Sequence, residues 1–129
     1  MATILIVDDN AKILQILGDA LENAGHQVWR APDGAVGLRE FRRHRPQVVV
    51  TDLIMPNKEG LELIMALNQE RPCPKIIAIS GGGNLALESY LPFAKKLGAD
   101  AILSKPFLPS VLLATINQVL SAGNTRENS

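Results

Sequence analysis

The chain has 129 residues, enough for one domain that buries roughly two-thirds of its unfolded surface without disulfide or metal staples. It is 47% hydrophobic and 20% charged, with 13 basic and 13 acidic residues, so a formal charge of zero gives no electrostatic reason to bind nucleic acid or an anionic membrane. One cysteine, Cys73, excludes an internal disulfide and fits a reducing compartment. No apolar run approaches the roughly 18 residues of a membrane span. Met1 leads straight into a strand-like run with no basic leader, so the expected location is the cytoplasm.

Short apolar runs alternate with amphipathic helical segments. Thr3 to Val7 reads as a strand covered on both faces. Ile13, Leu14, Ile16, Leu17, Ala20, Leu21 and Ala24 then fall at helical spacing, and Gly25 is a natural stop. Gln27 to Ala31 is a more polar strand, expected near an edge. Asp33 can N-cap a helix carrying Val36, Leu38 and Phe41. Gln47 to Thr51 is the most continuous β-branched run. After Asp52 comes the loop LIMPNKEG, then a helix marked by Leu61, Leu63, Ile64, Ala66 and Leu67 that must end by Arg71-Pro72.

Lys75 to Ile79 is the fourth strand. Ser80 to Gly83 forms a loop, and a helix follows to about Leu97 with Gly98 as its stop and Pro92 as a kink or a start. Ala101 to Ser104 is the fifth strand, and Pro109 opens a last helix carrying Val111, Leu112, Leu113, Ile116, Val119 and Leu120. Five βα units of this spacing imply right-handed crossovers and a doubly wound α/β fold with a parallel five-stranded sheet. Residues 1–121 make one domain and 122–129 a polar tail; no internal repeat is present.

Asp, Ser and Lys are poor strand residues, so Asp8-Asp9, Asp52, Ser80 and Lys105 should each sit just past a strand's carboxyl end. Those ends share one edge of a parallel sheet, where open α/β sheets bind ligands. Asp8 and Asp9 repel each other unless a cation intervenes, and with Asp52 beside them they suit Mg²⁺ or Mn²⁺. The plainer alternative is that one of them caps the helix starting near Asn10. The Asp52 carboxylate can attack phosphorus, with apolar Leu53, Ile54 and Met55 limiting water. Ser80 is either a turn residue or a hydrogen-bond donor to a phosphoryl oxygen. Lys105 is either solvated or paired with Asp52 and then with the phosphoryl group. The Lys105-Pro106 bond is a candidate cis peptide.

Other features point elsewhere or nowhere. The glycine run Gly81 to Gly83 lacks the P-loop pattern. Arg42, Arg43, His44 and Arg45 complement a helix dipole and are expected to stay solvated. His26 and His44 lack metal-like spacing, Trp29 reads as a partly buried sheet residue, and Cys73 as a structural thiol.

From Ile4 to about Leu120 the chain resembles a response-regulator receiver domain of the chemotaxis-regulator type. The resemblance rests on ILIVDDN, VVVTDLIMPNKEGLELI, IIAISGG and GADAILSKPF, in that order. It implies a flavodoxin-like fold with strand order 2-1-3-4-5. It implies that Asp52 takes a phosphoryl group from a histidine kinase or phosphotransfer protein. Asp9, Asp52 and the backbone carbonyl of Ile54 would be direct Mg²⁺ ligands, Asp8 would act mostly through water, and Ser80 and Lys105 would hold phosphoryl oxygens.

The resemblance also implies a partner-binding face made by the helix before the fifth strand, that strand and the last helix. The family's aromatic switch position, three residues before Lys105, is Ile102 here. The segment after Ser80 is slightly longer than usual in that family, and its loop is expected to order when the site is occupied. The competing readings are a phosphorylation-independent interaction module on the same fold, an Asp-nucleophile phosphatase or mutase, and a flavin-binding protein. Adjacent Asp8-Asp9 argue against the second of these, and the acidic first loop against the third.

Overall fold

In the computed structural model, which describes residues 1–53, 59–80, 96 and 98–122, the elements run β1 (Thr3–Val7), α1 (Ala11–Asn23), β2 (Gln27–Ala31), α2 (Gly34–His44), β3 (Val48–Asp52), α3 (Glu59–Leu67), β4 (Lys75–Ser80), β5 (Ala101–Ser104) and α4 (Pro109–Ser121). The strands form one parallel sheet in the order β2-β1-β3-β4-β5, so the fold is doubly wound and flavodoxin-like as expected, with the polar β2 at an edge. Ile54, Met55, the glycine loop 81–83, Pro92 and the helix expected up to Leu97 lie outside the described residues.

Alternation along the strands sorts the core into two layers. Leu5, Val7, Ala31, Val49, Ile76 and Ala78 face α2 and α3, where Phe41, Leu61, Leu63, Ile64 and Leu67 are buried. Ile4, Ile6, Val28, Val48, Val50, Ile77 and Ile79 face α1 and α4, where Leu17, Leu21, Leu112, Ile116 and Val119 are buried. Two-sided burial is why β1, β3 and β4 are apolar on successive residues and do not alternate.

Local signals set the helix ends. Asn10 caps α1, its side chain accepting from Lys12 N and Ile13 N. Gly25, just past α1, has φ 95°, a conformation that favours glycine. Asp33 caps α2 through Val36 N at 2.8 Å, and Pro109 opens α4. The Lys105-Pro106 bond is cis, as is Arg71-Pro72, which the sequence did not single out.

Two expectations need correction. Asp52 and Ser80 are the last residues of β3 and β4, not residues beyond them, because the ladder continues through Asp52 with Ile79 and Ser80 with Ser104. The basic run is not merely solvated: Arg42 and Arg45 both pair with Glu70, and His44 lies against Glu40 and stacks on half-buried Trp29 at 4.2 Å.

Asp33→Ala removes the α2 cap while leaving the buried layers intact. Its cost should be about 1 kcal/mol, read as a lower urea midpoint with an unchanged slope.

Candidate functional site at the carboxyl edge of the sheet

The parallel register brings the predicted residues to one edge. Asp8 follows β1 and is buried; Asp9 beside it is exposed; Asp52 ends β3 and is buried; Ser80 ends β4 and is buried; Lys105 follows β5. Carboxylate oxygens of Asp8, Asp9 and Asp52 all lie within 4.8 Å of one another. Lys105 Nζ reaches across the edge to Asp52 Oδ2 at 3.1 Å and to Asp8 Oδ2 at 3.4 Å.

Asp8 is clamped from both sides. Its backbone N–H donates to the Ala31 carbonyl at 3.1 Å, and its Oδ1 accepts from Asn10 N at 2.8 Å. Helix capping therefore belongs to Asn10, and the acidic pair is left facing the cleft. Burial pushes the Asp8 carboxyl above its usual range, with repulsion from Asp52 adding to that; the Asn10 N–H and Lys105 pull the other way. For Lys105, burial lowers the proton affinity, but attraction to Asp52 and Asp8 outweighs it and the net shift is upward.

Among the described residues, three carboxylates face one ammonium, an excess of two negative charges. That is the charge of a divalent cation, and an all-oxygen donor set with one exposed member suits a hard ion that keeps some of its water. The donor chemistry thus fits Mg²⁺ or Mn²⁺. Ile54, whose carbonyl the resemblance would add, lies outside the described residues.

Three contributors escaped the sequence reading. Ser104 Oγ lies 3.4 Å from Ser80 Oγ, where β4 and β5 end in register, and Lys105 N donates to the Ser80 carbonyl at 2.8 Å. The two serines close two consecutive strands, a sequence signal that could have found the pair. Asn10, expected only to mark the start of a helix, holds Asp8 Oδ1 through its backbone N–H. Gly60, in the first turn of α3, packs so closely on Asp52 and Leu53 that a Cβ there would overlap the Asp52 carbonyl oxygen. No sequence signal marks that approach.

A family model described as the response regulator receiver domain matches residues 4–117. The chain belongs to that family. This receiver is 36% identical over 124 residues to protein PilH of Pseudomonas aeruginosa, covering 94% of this chain and 99% of PilH. It is 36% identical to a probable transcriptional regulator, ycf27, of Porphyridium aerugineum, covering 98% of this chain but 53% of that protein. The chain therefore spans about half the length of some relatives and nearly all of others. Among solved structures, a CheY-like receiver domain from Methanospirillum hungatei superimposes with a TM-score of 0.83 at 31% identity, covering 99% of this chain and 98% of the other.

Two substitutions test the site's physics. Asp8→Asn should raise stability in metal-free buffer at pH 7, because a raised folded-state pKa means the charged form is disfavoured by folding. That gain should fade as the pH falls and vanish below the unfolded value of 3.8, where Asp8 is protonated in both states. Urea titrations of both proteins across that range check the sign. Gly60→Ala should cost about 1–3 kcal/mol by overpacking, measured in the same way.

Proposed function

We propose that this receiver is a phosphorylation switch of a two-component system, with Asp52 as the acceptor. The observation that carries the reading is the meeting of Asp52 with Asp8, Asp9 and Lys105 at one buried edge. A carboxylate oxygen of Asp52 attacks the phosphorus of a phosphohistidine on a sensor kinase or histidine phosphotransfer protein. The new bond joins that oxygen to phosphorus, the phosphorus–nitrogen bond breaks, and the histidine nitrogen keeps the electron pair.

Lys105 orients the Asp52 carboxylate before transfer and offers its ammonium to the arriving phosphoryl oxygens afterwards. The Ser80 hydroxyl, whose partner among the described residues is a long contact to Ser104, is available to donate to another of those oxygens. Asp9, Asp52 and the Ile54 carbonyl would hold Mg²⁺ or Mn²⁺ directly and Asp8 through water; the ion would neutralise charge between acceptor and phosphoryl group. The protein acts as a switch and not as a metabolic enzyme, although it assists its own phosphorylation and dephosphorylation.

We assign residues 1–121 to the receiver; the expected tail falls, from residue 123 on, outside the described residues. Its setting is the cytoplasm; none of the described helices is long and apolar enough to cross a membrane. The output is a change in a face that includes β5 and α4, read by a downstream protein. Ile102 is half-buried there against the layer containing Ala78 and Ala99, so the change proceeds by repacking without a ring swing.

Incubation with Mg²⁺ and a small phosphodonor should add one phosphoryl group to the intact mass. The gain should disappear in Asp52→Asn and on chelation of the metal, and it should be slower in Lys105→Ala. No gain from either a small donor or a kinase would reject the switch in favour of a phosphorylation-independent interaction module.

A further inference from the structure

At the opposite, amino-terminal edge of the sheet lies a cavity of about 330 Å³, within the size range of small-molecule sites. It opens between the end of α2, the starts of β3 and β4, and the end of α4. Phe41, Arg45, Gln47, Cys73, Lys75 and Leu120 line it. None of these residues belongs to the carboxyl-edge site.

Lys75 is the unusual member. It is the first residue of β4 and retains 8% of its exposure. Its alkyl stem is covered by the protein while the ammonium keeps contact with solvent at the cavity, as long cationic side chains do. Among the described residues, its ammonium has neither a hydrogen bond nor an ion pair. It sits in register with Val48, on the face of the sheet that packs against α1 and α4, which explains why Leu120 shares the cavity with it.

The surroundings add positive charge and a donor. Arg42 and Arg45 share the single carboxylate of Glu70, one on each oxygen, at 3.3 and 3.1 Å. Arg45 also lies over the Phe41 ring, 5.1 Å from its centroid. Gln47 Oε1 already accepts from Thr3 N at 3.1 Å, which turns the amide nitrogen into the end left for a ligand. The cavity therefore offers an ammonium, the Arg45 guanidinium, which shares its carboxylate partner with Arg42, and an amide N–H beside the Phe41 ring, the Leu120 side chain and flanking prolines.

We propose that this cavity binds a small organic anion: one carboxylate, held by Lys75 with Gln47 and Arg45, on a compact apolar body that packs against Phe41 and Leu120. The anion supplies a charge partner for Lys75, which has none among the described residues. The site is independent of phosphorylation at Asp52.

The test is a titration of the full chain with sodium hexanoate, followed by backbone amide NMR, with hexylammonium chloride as the charge-reversed control. Hexanoate should give saturable shifts at Gln47, Lys75 and Leu120, and hexylammonium should not. Lys75→Met, which keeps the apolar length of the side chain, should weaken hexanoate binding about tenfold or more while phosphorylation of Asp52 from a small donor is unchanged. Lys75→Gln serves as the second variant should the methionine disturb folding. As an independent readout, saturating hexanoate should slow alkylation of Cys73. Equal binding of hexylammonium, unaltered affinity in both Lys75 variants, or the absence of saturable shifts would each overturn the proposal.

Discussion

The ammonium of Lys105 stands between two buried carboxylates, and the carboxyl edge of the sheet is organised around that arrangement. Asp8 and Asp52 retain 1% and 4% of their exposure, so neither can rely on bulk water. Lys105 reaches both, and in doing so ties β5 to β1 and β3 across 97 and 53 residues of chain. Among the described residues one cation faces three carboxylates, so that part of the resting edge carries excess negative charge. That excess ties metal binding to stability. A divalent ion would relieve repulsion that folding alone has imposed, and the same Lys105 contacts would then be free to follow negative charge wherever it next appears.

Excess charge at one edge is tolerable because the rest of the sheet is insensitive to it. β1, β3 and β4 are buried on both faces by separate helix pairs, and the two layers share only the backbone ladder. A change in charge at Asp52 need not disturb Leu5 or Ile77. The strand order makes this possible: β1 and β3 are neighbours at the centre, so their ends are the deepest points of the carboxyl edge and the places where a carboxylate is most strongly desolvated.

The sequence showed the architecture well because its signals are local. Apolar runs, Gly25, Asp33 and Pro109 each act within a few residues of themselves, and each has the role its chemistry dictates. Strand ends were legible only to within a residue. Poor β-propensity placed Asp52 and Ser80 outside their strands, whereas pairing with Ile79 and Ser104 keeps them inside. The long-range features were hidden. Glu70 meets Arg42 across 28 residues, and Gly60 is needed because α3 descends onto the Asp52 carbonyl; nothing near either residue announces such an approach. At the site itself the residue types were legible from strand-end chemistry. That Asn10, and not Asp8 or Asp9, takes the helix cap was not, since all three are competent capping residues in adjacent positions.

Ile102 gives the proposed switch its particular character. Its χ1 is stiff and it has no hydroxyl, so it cannot report on the site by hydrogen bonding. Two other connections join the site to β5. The Lys105 N–H to the Ser80 carbonyl, at 2.8 Å, is a sound hydrogen bond and holds the strand ends together. The Ser80 to Ser104 hydroxyl contact, at 3.4 Å, is long for two hydroxyls, and Ser104 is exposed and able to bond water in its place. Drawing the Ser80 hydroxyl toward a phosphoryl oxygen therefore costs little at β5, while the backbone bond carries any shift of β4 directly into the strand. On the proposed reading, the signal reaches Ile102 as a displacement of its backbone, and the side chain follows by repacking beside the small residues Ala78 and Ala99.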